Sequence, residues 1–541
     1  MILGYVLSGS TTHHVRAQLT EEGESHIVEG MLLVVEGKRC GKLLCRVDTI
    51  TYIDELYEER TPFAEIVKRG IEMRGFSSLR YAVAELSVLG RIDRGRLEDA
   101  RLPPEPGDKL KFLSNELESL FSQPNIVPFG TIVGYESLPL PLDLEALTMH
   151  LGIFGETGSG KSYTVGYLIE KLSNIEVDGV RVAMPILVID ANGDYVDFHE
   201  TFISRGFLGA YRKVLRFVFP HARSIAMTKP FTRIITVDLD VLTPRELAEF
   251  IVAYRVGVPE LNELQVSLIE RFLRYAIEYL STSFTELLTR NVNEIEKLFL
   301  EFAKEQSFHQ QTVRAALAAL TKFVDDLVHR YRIVSRDPTL STRFIDEITE
   351  NPSLAILDFS VEGAPGVPTL VKQFVVGYVA KLLYTKFTEY KVNGRERYLL
   401  FVVEEAQNYV PNQKLYPVGW SFARDSLALL ATQGRKFGVC LALVSQRPRF
   451  VDPIVVSMLN TWIIHRIPPD DAEYISKLAG GLPRALEHRL TKLRRGVALV
   501  VGQMNALGIP ILVAIPRREV PHRVGETNLI KSLVKVGTQS S

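Results

Sequence analysis

One stretch of the chain combines glycines, a lysine and a hydroxyl at a spacing that binds phosphate. It reads Gly155, Glu156, Thr157, Gly158, Ser159, Gly160, Lys161, Ser162 and Tyr163. Glycines let a backbone curl until successive N–H groups point inward at phosphate oxygens. The lysine of such a loop reaches the β- and γ-phosphates, and the hydroxyl after it is a ligand for Mg²⁺. We therefore predict that residues 155–163 bind ATP, that Lys161 also acts in catalysis, and that Ser162 binds the metal.

The residues on either side supply the context that this loop requires. Before it, the apolar run from Leu151 to Phe154 is typical of a short buried strand. After it, Val165, Leu168 and Ile169 recur at helical spacing. The N-terminal end of that helix adds a partial positive charge where the phosphates would lie. A chance glycine-rich turn would not have both a buried strand before it and a helix after it. The pattern therefore indicates a nucleoside triphosphate site.

Two acids follow a buried strand at the point where α/β sheets bind ligands. The apolar run Leu399 to Val403 is followed directly by Glu404 and Glu405. We expect Glu404 to hold magnesium, partly through water, and Glu405 to orient and polarise the attacking water. The alternative that stays open is an ordinary charged strand end.

Two further residues, Gln446 and Arg435, complete the predicted catalytic set. Gln446 follows a strand from Val439 to Val444 and could contact the γ-phosphate. Arg435, just before that strand, could enter a neighbouring subunit's site and neutralise transition-state charge, or could be a plain surface arginine. Arg424 is a rival for the same role. Asp190 ends another apolar strand, and we expect it to support the site from behind.

The pattern of strands and helices predicts how these residues are positioned. Short β-type runs with turn residues between them indicate a small barrel over residues 1–115, and the Pro-rich stretch 116–148 is typical of a linker. Alternating strands and helices over 149–515 indicate an α/β core, with a helical insertion at about 241–340 that begins with a capping box at Thr243. Residues 516–541 have little pattern and are predicted to be a tail.

Composition limits the class of protein. The 541 residues carry a net charge of −1, which argues against coating nucleic acid with the whole surface but allows a local groove or pore. Basic runs such as the one containing Arg494 and Arg495 are more often solvated faces than DNA sites. The chain has no long uncharged apolar stretch, no secretory signal pattern, and cysteines only at 40, 45 and 440. We therefore expect a cytoplasmic protein without a membrane segment, disulfide framework or zinc site.

Together these pieces resemble the HerA family, in the FtsK–HerA branch of ring ATPases. The shared motifs are "GETGSGKS", "DANGDY", "LLFVVEEAQNYVP", "GRKFGVCLALVSQRP" and the late "RRGVALVVGQ…IPILVAIPRR". The phosphate loop is generic to many ATPases, whereas the "GRKFG…SQRP" block is specific. The resemblance implies a RecA-like P-loop ATPase core with a central, mostly parallel sheet, an N-terminal HAS-barrel-like unit and an inserted helical bundle.

The resemblance also implies a function. It implies a homo-hexameric, ATP- and Mg²⁺-dependent translocase or helicase that pumps duplex DNA through a central pore. Such proteins work with a NurA-like nuclease in DNA end processing and double-strand break repair. Alternatives are another FtsK- or conjugation-type DNA pump, a nucleotide-gated DNA-binding scaffold with little turnover, or a small-molecule kinase. Ring size, the direction of movement and the DNA-contacting residues stay open; the loops at 361–366 and 411–420 are candidates for the pore.

Overall fold

The computed structural model describes residues 1–54, 68–70, 80–93, 96–113, 125–135, 137–416 and 420–522. The chain divides into two compact units. Unit 1 comprises the described residues of 1–144, 482–489 and 497–516. Unit 2 comprises the described residues of 145–481, 490–496 and 517–522.

Antiparallel strands of unit 1 close into a barrel. They are β1 Ile2–Val6, β2 His14–Leu19, β3 Leu32–Gly37, β4 Gly41–Ile53, β5 Tyr81–Asp93, β6 Arg96–Glu98 and β7 Lys109–Phe112, with helix α1 Glu21–His26 after β2. The order is β2-β1-β7-β3-β4-β5, and β5 pairs back onto β2, so six described strands form a closed ring while β6 extends β5. Alternate side chains face the interior, as Val15, Ala17 and Leu19 do in β2. The predicted barrel is confirmed.

The stretch 116–148, assigned to a linker from its prolines, contains strands among its described residues. These are β8 Ile126–Phe129, β9 Thr131–Ile132 and β10 Leu140–Asp143. Strands β8 and β10 pair antiparallel, with Leu140 opposite Phe129, and the side chains of both residues are fully buried. Proline at a strand edge costs no ladder hydrogen bond, so a Pro-rich sequence can still form such a pair. The domain boundaries themselves stay a prediction.

Unit 2 is built on a parallel sheet. Its strands are β11 Leu151–Phe154, β14 Ile186–Asp190, β15 Lys213–Val218, β16 Thr232–Ile234, β17 Ser353–Asp358, β18 Leu399–Val403, β19 Val439–Ser445 and β20 Thr461–Ile464, with a small hairpin of β12 Ile175–Val177 and β13 Val180–Val182. The sheet order is β16-β15-β17-β14-β18-β19-β11-β20. Every residue of β11, β14, β17, β18 and β19 is buried, which is typical of a parallel sheet covered on both faces. The predicted α/β core is confirmed.

The remaining helices of the described residues belong to unit 2, except the last of them, which lies mostly in unit 1. They are α2 Lys161–Leu172, α3 Val196–Arg205, α4 Arg223–Thr228, α5 Pro244–Val256, α6 Glu263–Glu278, α7 Phe284–Leu288, α8 Val292–Lys304, α9 Gln310–Phe323, α10 Thr342–Glu350, α11 Thr369–Val392, α12 Ala423–Gln433, α13 Pro453–Ser457, α14 Pro469–Leu478 and α15 Arg484–Leu490. In the part of the chain that the structure describes, no helix is both long and apolar enough to cross a bilayer.

Helices α5 to α9 form the predicted insertion between β16 and β17. The Thr243 hydroxyl accepts a hydrogen bond from the Glu246 N–H at 3.2 Å, and the Glu246 carboxylate accepts one from the Thr243 N–H at 2.8 Å. This reciprocal pair is the expected capping box and starts α5. Phe250 of α5 stacks on Phe374 of α11 with ring centroids 4.3 Å apart, which packs the insertion against a helix of the core.

After β20 the chain contributes two more strands to unit 1. These are β21 Val497–Gly502 and β22 Ile511–Ala514, which pair antiparallel. Strand β22 also pairs with β9, with Val513 opposite Ile132. The late apolar runs are therefore strands, as the sequence predicts.

Parallel pairing brings the chemistry-bearing strand ends to one edge of the sheet. Phe154, which ends β11, lies opposite Ser445, which ends β19. Val403, which ends β18, lies opposite Leu443 of β19 and Ile189 of β14. The residues that follow each of these strands must therefore meet at the carboxyl edge.

Candidate nucleotide-binding site

The loop between β11 and α2 has the backbone shape that its glycines allow. Gly158 and Gly160 have φ angles of 76° and 116°, in the left-handed region that side chains with a Cβ avoid. Gly160 is the N-cap of α2, so Lys161 and Ser162 occupy the first helical positions. The loop therefore directs a helix N-terminus and its N–H groups at the space above it.

Hydrogen bonds from neighbouring strands hold this loop in place. The Gly155 N–H donates to the carbonyl of Ser445 at 3.3 Å, and the Glu156 N–H donates to the carbonyl of Arg466 at 2.8 Å. The Glu156 carboxylate also forms an ion pair with Arg466 at 3.0 Å. The loop is thus attached to the ends of the strands on both sides of β11 before any ligand arrives.

Lys161 is buried against the loop that precedes it. Its ammonium group donates to the carbonyls of Gly155 at 2.6 Å and Glu156 at 3.1 Å. Burial lowers the pKa of Lys161, and the nearby carboxylates of Glu405 and Glu404 oppose that shift. A triphosphate would offer this cation stronger, charged acceptors than the two carbonyls.

The loop, the acidic strand end and Gln446 share one pocket. Its volume is about 490 Å³, within the usual range for small-ligand sites. Residues 157–158 and 160–163 line it, together with Glu404, Glu405 and Gln446. These are predicted site residues from three separate strand ends, and the fold brings them together.

Glu404 is a buried carboxylate, and one of its two oxygens has no hydrogen-bond partner among the described residues. It directly follows β18 and is 2% exposed. The Tyr195 hydroxyl donates to its Oε1 at 2.5 Å, whereas Oε2 has no hydrogen-bond partner among the described residues. Burial, followed by the charges of Asp190 and Asp194, raises the pKa of Glu404 well above its usual value. An unpaired carboxylate oxygen on a residue that lines a phosphate pocket suits a hard cation or its bound water, so the residues fit the predicted Mg²⁺.

Glu405 is held in a rare backbone conformation beside it. Its φ of 48° and ψ of 45° are left-handed, which is unusual for a residue that is not glycine. The side-chain amide of Gln407 donates to Oε2 of Glu405, and the Gln446 amide lies 3.3 and 3.4 Å from its two oxygens. The Thr157 hydroxyl donates to Gln446 Oε1 at 3.2 Å. Gln446 thus connects the phosphate loop to the carboxylate predicted to position water.

Asp190 supports the site without lining the pocket. It is fully buried, and its carboxylate accepts the N–H groups of Gly193, Asp194 and Tyr195 at 2.7, 2.9 and 2.9 Å. These bonds form the turn that carries Tyr195 to Glu404. Burial and the neighbouring Asp358 raise the pKa of Asp190.

Arg435 lies far from the pocket of its own chain. It sits in the turn Gly434–Phe437, just before β19, whereas the pocket lies at the opposite end of that strand. The seven residues of β19 alone span roughly 20 Å at the usual rise per residue. Arg424 is in an ion pair with Asp452, with contacts of 2.9 and 3.1 Å.

The chain is similar to a known protein family and to named proteins. The model of the family "Helicase HerA, central domain" matches residues 127–383. A DNA double-strand break repair helicase HerA from Sulfurisphaera tokodaii is 27% identical over 547 residues, covering 99% of this chain and 97% of that protein. The protein of the same name from Saccharolobus solfataricus is 24% identical, with the same coverage of both chains. The chain is therefore similar to the HerA family, by a family model over its central part and by these relatives over nearly its whole length.

Two solved structures are also partly similar to this chain. VirB4 of Thermoanaerobacter pseudethanolicus has a TM-score of 0.49 at 16% identity, covering 74% of this chain and 98% of that one. The plasmid coupling protein TrwB, in complex with ADP and Mg²⁺, has a TM-score of 0.48 at 15% identity, covering 73% and 90%.

Several residues at the pocket were not expected from the sequence. They are Asn192, Asp194, Tyr195, Gln407, Arg495 and His522. Asn192, Asp194 and Tyr195 belong to the "DANGDY" motif, and Gln407 follows the acidic pair, so nearness to a motif could have suggested them. His522 is distant from every motif. Arg495 belongs to the "RRGVALVVGQ" motif, but that motif carried no site role, and its basic run was interpreted as a solvated face.

The start of the predicted tail packs beside the pocket. The Arg518 guanidinium lies over the rings of Tyr163 at 5.3 Å and Phe198 at 4.9 Å, and its backbone N–H donates to the Tyr163 hydroxyl at 2.7 Å. Gly166 of α2 makes room for it, because a Cβ there would lie 2.2 Å from Arg518 Nη1. His522 Nε2 is 3.8 Å from a carboxylate oxygen of Asp194. Residues 517–522 are therefore ordered on unit 2, and the rest of the predicted tail, 523–541, lies outside the described residues.

Proposed function

We propose that this chain is an ATP-hydrolysing DNA translocase or helicase that processes DNA ends in double-strand break repair. The observation that carries the proposal is the convergence of Lys161, Glu404, Glu405 and Gln446 on one pocket beside a phosphate loop. Relatives that match this chain nearly end to end are named DNA double-strand break repair helicases.

Each of these residues has a role in hydrolysis under this proposal. Lys161 exchanges the carbonyls of the loop for the β- and γ-phosphates of ATP. Glu405 accepts a hydrogen bond from the attacking water and orients it, since a carboxylate at this position serves as the base. Gln446, between Glu405 and Thr157, senses whether a γ-phosphate is present.

The site also fits a divalent cation. The Ser162 hydroxyl and, partly through water, Glu404 would hold Mg²⁺, which supplies positive charge to the phosphate oxygens when bound. The unpartnered Oε2 of Glu404 supports this part of the proposal.

The proposal includes a ring in which each site is completed by the next subunit. Arg435 cannot reach the pocket of its own chain but is exposed and free to enter another. Arg424 is already bound to Asp452, which favours Arg435 as the arginine that acts in trans. Head-to-tail contacts of this kind close into rings, and we propose a homo-hexamer.

Duplex DNA is the proposed polymer in the central pore of that ring. A net charge of −1 does not prevent this, because a pore needs only local basic and polar groups to follow phosphates. Such an enzyme would work in the cytoplasm beside a NurA-like nuclease that trims the end it delivers.

The test is an ATPase assay of the full chain with and without linear duplex DNA. We expect DNA to stimulate hydrolysis several-fold, and Lys161→Ala to abolish it by removing the phosphate-facing charge. Lys171→Ala, in the last turn of the same helix, is the matched control and should keep activity. A flat, very low rate would favour a nucleotide-gated scaffold, and phosphate transfer to a metabolite would favour a kinase; either result would reject the proposal.

A further inference from the structure

Residues 490–496, just before β21, form a short segment that is hydrogen-bonded to the phosphate loop. The Ile467 N–H donates to the carbonyl of Leu490 at 3.2 Å, and the Gly496 N–H donates to the carbonyl of Ser159 at 3.1 Å. Between them Leu493 is 7% exposed and anchors the segment in the apolar interior. The backbone of Arg495 is therefore held one residue away from a direct contact with the loop.

Arg495 lines the nucleotide pocket together with Lys161. Other arginines that follow the neighbouring strands are neutralised by carboxylates: Arg447 binds Asp471 at 2.6 Å, and Arg466 binds Glu156 at 3.0 Å. Arg495 has no ion pair to any residue of the described ranges, although it is permanently charged. A cation placed at a phosphate loop without a protein partner is available to an anionic ligand.

The point of attachment indicates which end of the nucleotide Arg495 would meet. Glu405 and Gln446, the residues expected around the γ-phosphate, are connected to the loop at Thr157. The segment that carries Arg495 is connected through Gly496 at Ser159, next to the N-cap of the helix, where the backbone of such loops cradles the α- and β-phosphates.

We propose that Arg495 is a nucleotide-binding residue of the same chain, which binds the α- and β-phosphates of ATP and ADP. This inference rests on the proposed function, because it assumes a nucleotide in this pocket. A guanidinium forms paired hydrogen bonds to phosphate oxygens, so Arg495 adds a second cation beside Lys161. Unlike Arg435, it needs no neighbouring subunit, and it binds product as firmly as substrate.

Titration of the full-length protein with fluorescent ATP and ADP analogues in Mg²⁺ buffer tests the assignment. Arg495→Ala should raise the Kd of both nucleotides about tenfold, which is the loss of one charge-assisted contact of about 1.4 kcal/mol. The rate at saturating ATP should stay within about twofold of wild type, because binding shared by ground and transition states changes KM and leaves kcat unchanged. Arg495→Lys should be intermediate.

Arg494→Ala is the matched control, since Arg494 is an exposed arginine next in the chain that does not line the pocket. Its Kd values should equal those of the wild type, and thermal unfolding of all three variants should match wild type. Equal Kd values for Arg495→Ala and Arg494→Ala would overturn the inference, as would a loss confined to ATP or a fall in kcat at unchanged Kd. If the wild type binds neither nucleotide, the proposed function fails first, and this inference fails with it.

Discussion

Glu405 combines a strained backbone with a well-supported side chain. A left-handed conformation costs a residue with a Cβ about 1–3 kcal/mol, and it persists only where the surroundings impose it. Here the surroundings are Gln407 and Gln446, which both donate to its carboxylate, and Ser445, whose hydroxyl donates to Gln407 Oε1 at 2.7 Å. Such a network aims the carboxylate before substrate binds, which is what a water-orienting base requires.

Replacing this carboxylate by an amide tests its role. Glu405→Gln should retain ATP binding, because Lys161 and the loop are untouched, and should lower turnover by about 10²–10⁴-fold, as loss of a general base does. Nucleotide titration and a steady-state ATPase assay measure the two effects separately. Glu260→Gln, at an exposed position in the insertion, is the control. Turnover of Glu405→Gln near the wild-type rate would show that another residue activates the water.

At the scale of elements, the carboxylate of Glu347 forms ion pairs with the two strands at the outer edge of the parallel sheet, β15 and β16. Glu347 of α10 binds Lys213 of β15 at 2.7 Å and both terminal nitrogens of Arg233 of β16 at 2.8 Å. These contacts, with the hydrogen bonds from Arg233 as the largest cause, lower the pKa of Glu347 to about 2. Because the pKa is lowered on folding, the stabilisation is complete above the unfolded value of 4.5 and is lost as pH falls toward 2.

We expect Glu347→Gln to lower the free energy of unfolding by about 1 kcal/mol at neutral pH, a value reduced for the partial solvent exposure of the network. The difference from wild type should shrink by more than half between pH 6 and pH 3, because the unfolded chain binds a proton that the folded one does not. Denaturant unfolding at several pH values measures it. Glu350→Gln, an exposed glutamate of the same helix, should show neither effect. A difference that is independent of pH would mean that packing, and not the charge of Glu347, holds this edge.

For the whole molecule, the placement of Arg435 has the largest consequence. The sheet separates it from the pocket of its own chain by the length of β19, so a catalytic Arg435 must serve another copy. Hydrolysis at such a seam couples the chemistry to movement between subunits, which is how a ring could move along a polymer.

Mixing experiments test this arrangement. When wild type and Arg435→Ala are mixed in increasing ratio, activity should fall faster than the wild-type fraction, because each variant subunit disables a neighbour. Lys436→Ala, the adjacent exposed cation, is the control and should give mixtures with full activity. A loss strictly proportional to the variant fraction would place the role of Arg435 inside one subunit.

The parts of the site that could be read from the sequence are those encoded by neighbouring residues. The phosphate loop is a contiguous motif, the capping box at Thr243 is a four-residue pattern, and an apolar run ending in Glu404 and Glu405 marks a strand end by itself. Gln407 lies two residues after Glu405, but no known motif assigns a role to a glutamine at that position. The stretch 116–148 was predicted to be a linker because of its prolines, although the strands β8 and β10 lie within it. Their pairing could not be predicted from the neighbouring residues.

The sequence by itself determined the nucleotide chemistry and the alternation of strands and helices, because both depend on contacts between residues close together in the chain. Only the tertiary structure decided that β5 closes on β2, that Arg435 lies at the end of β19 opposite its own pocket, and that Arg495 lines that pocket. Those outcomes depend on which distant segments pack together. That choice is made by the burial and hydrogen bonding of the whole chain, and no local spacing records it.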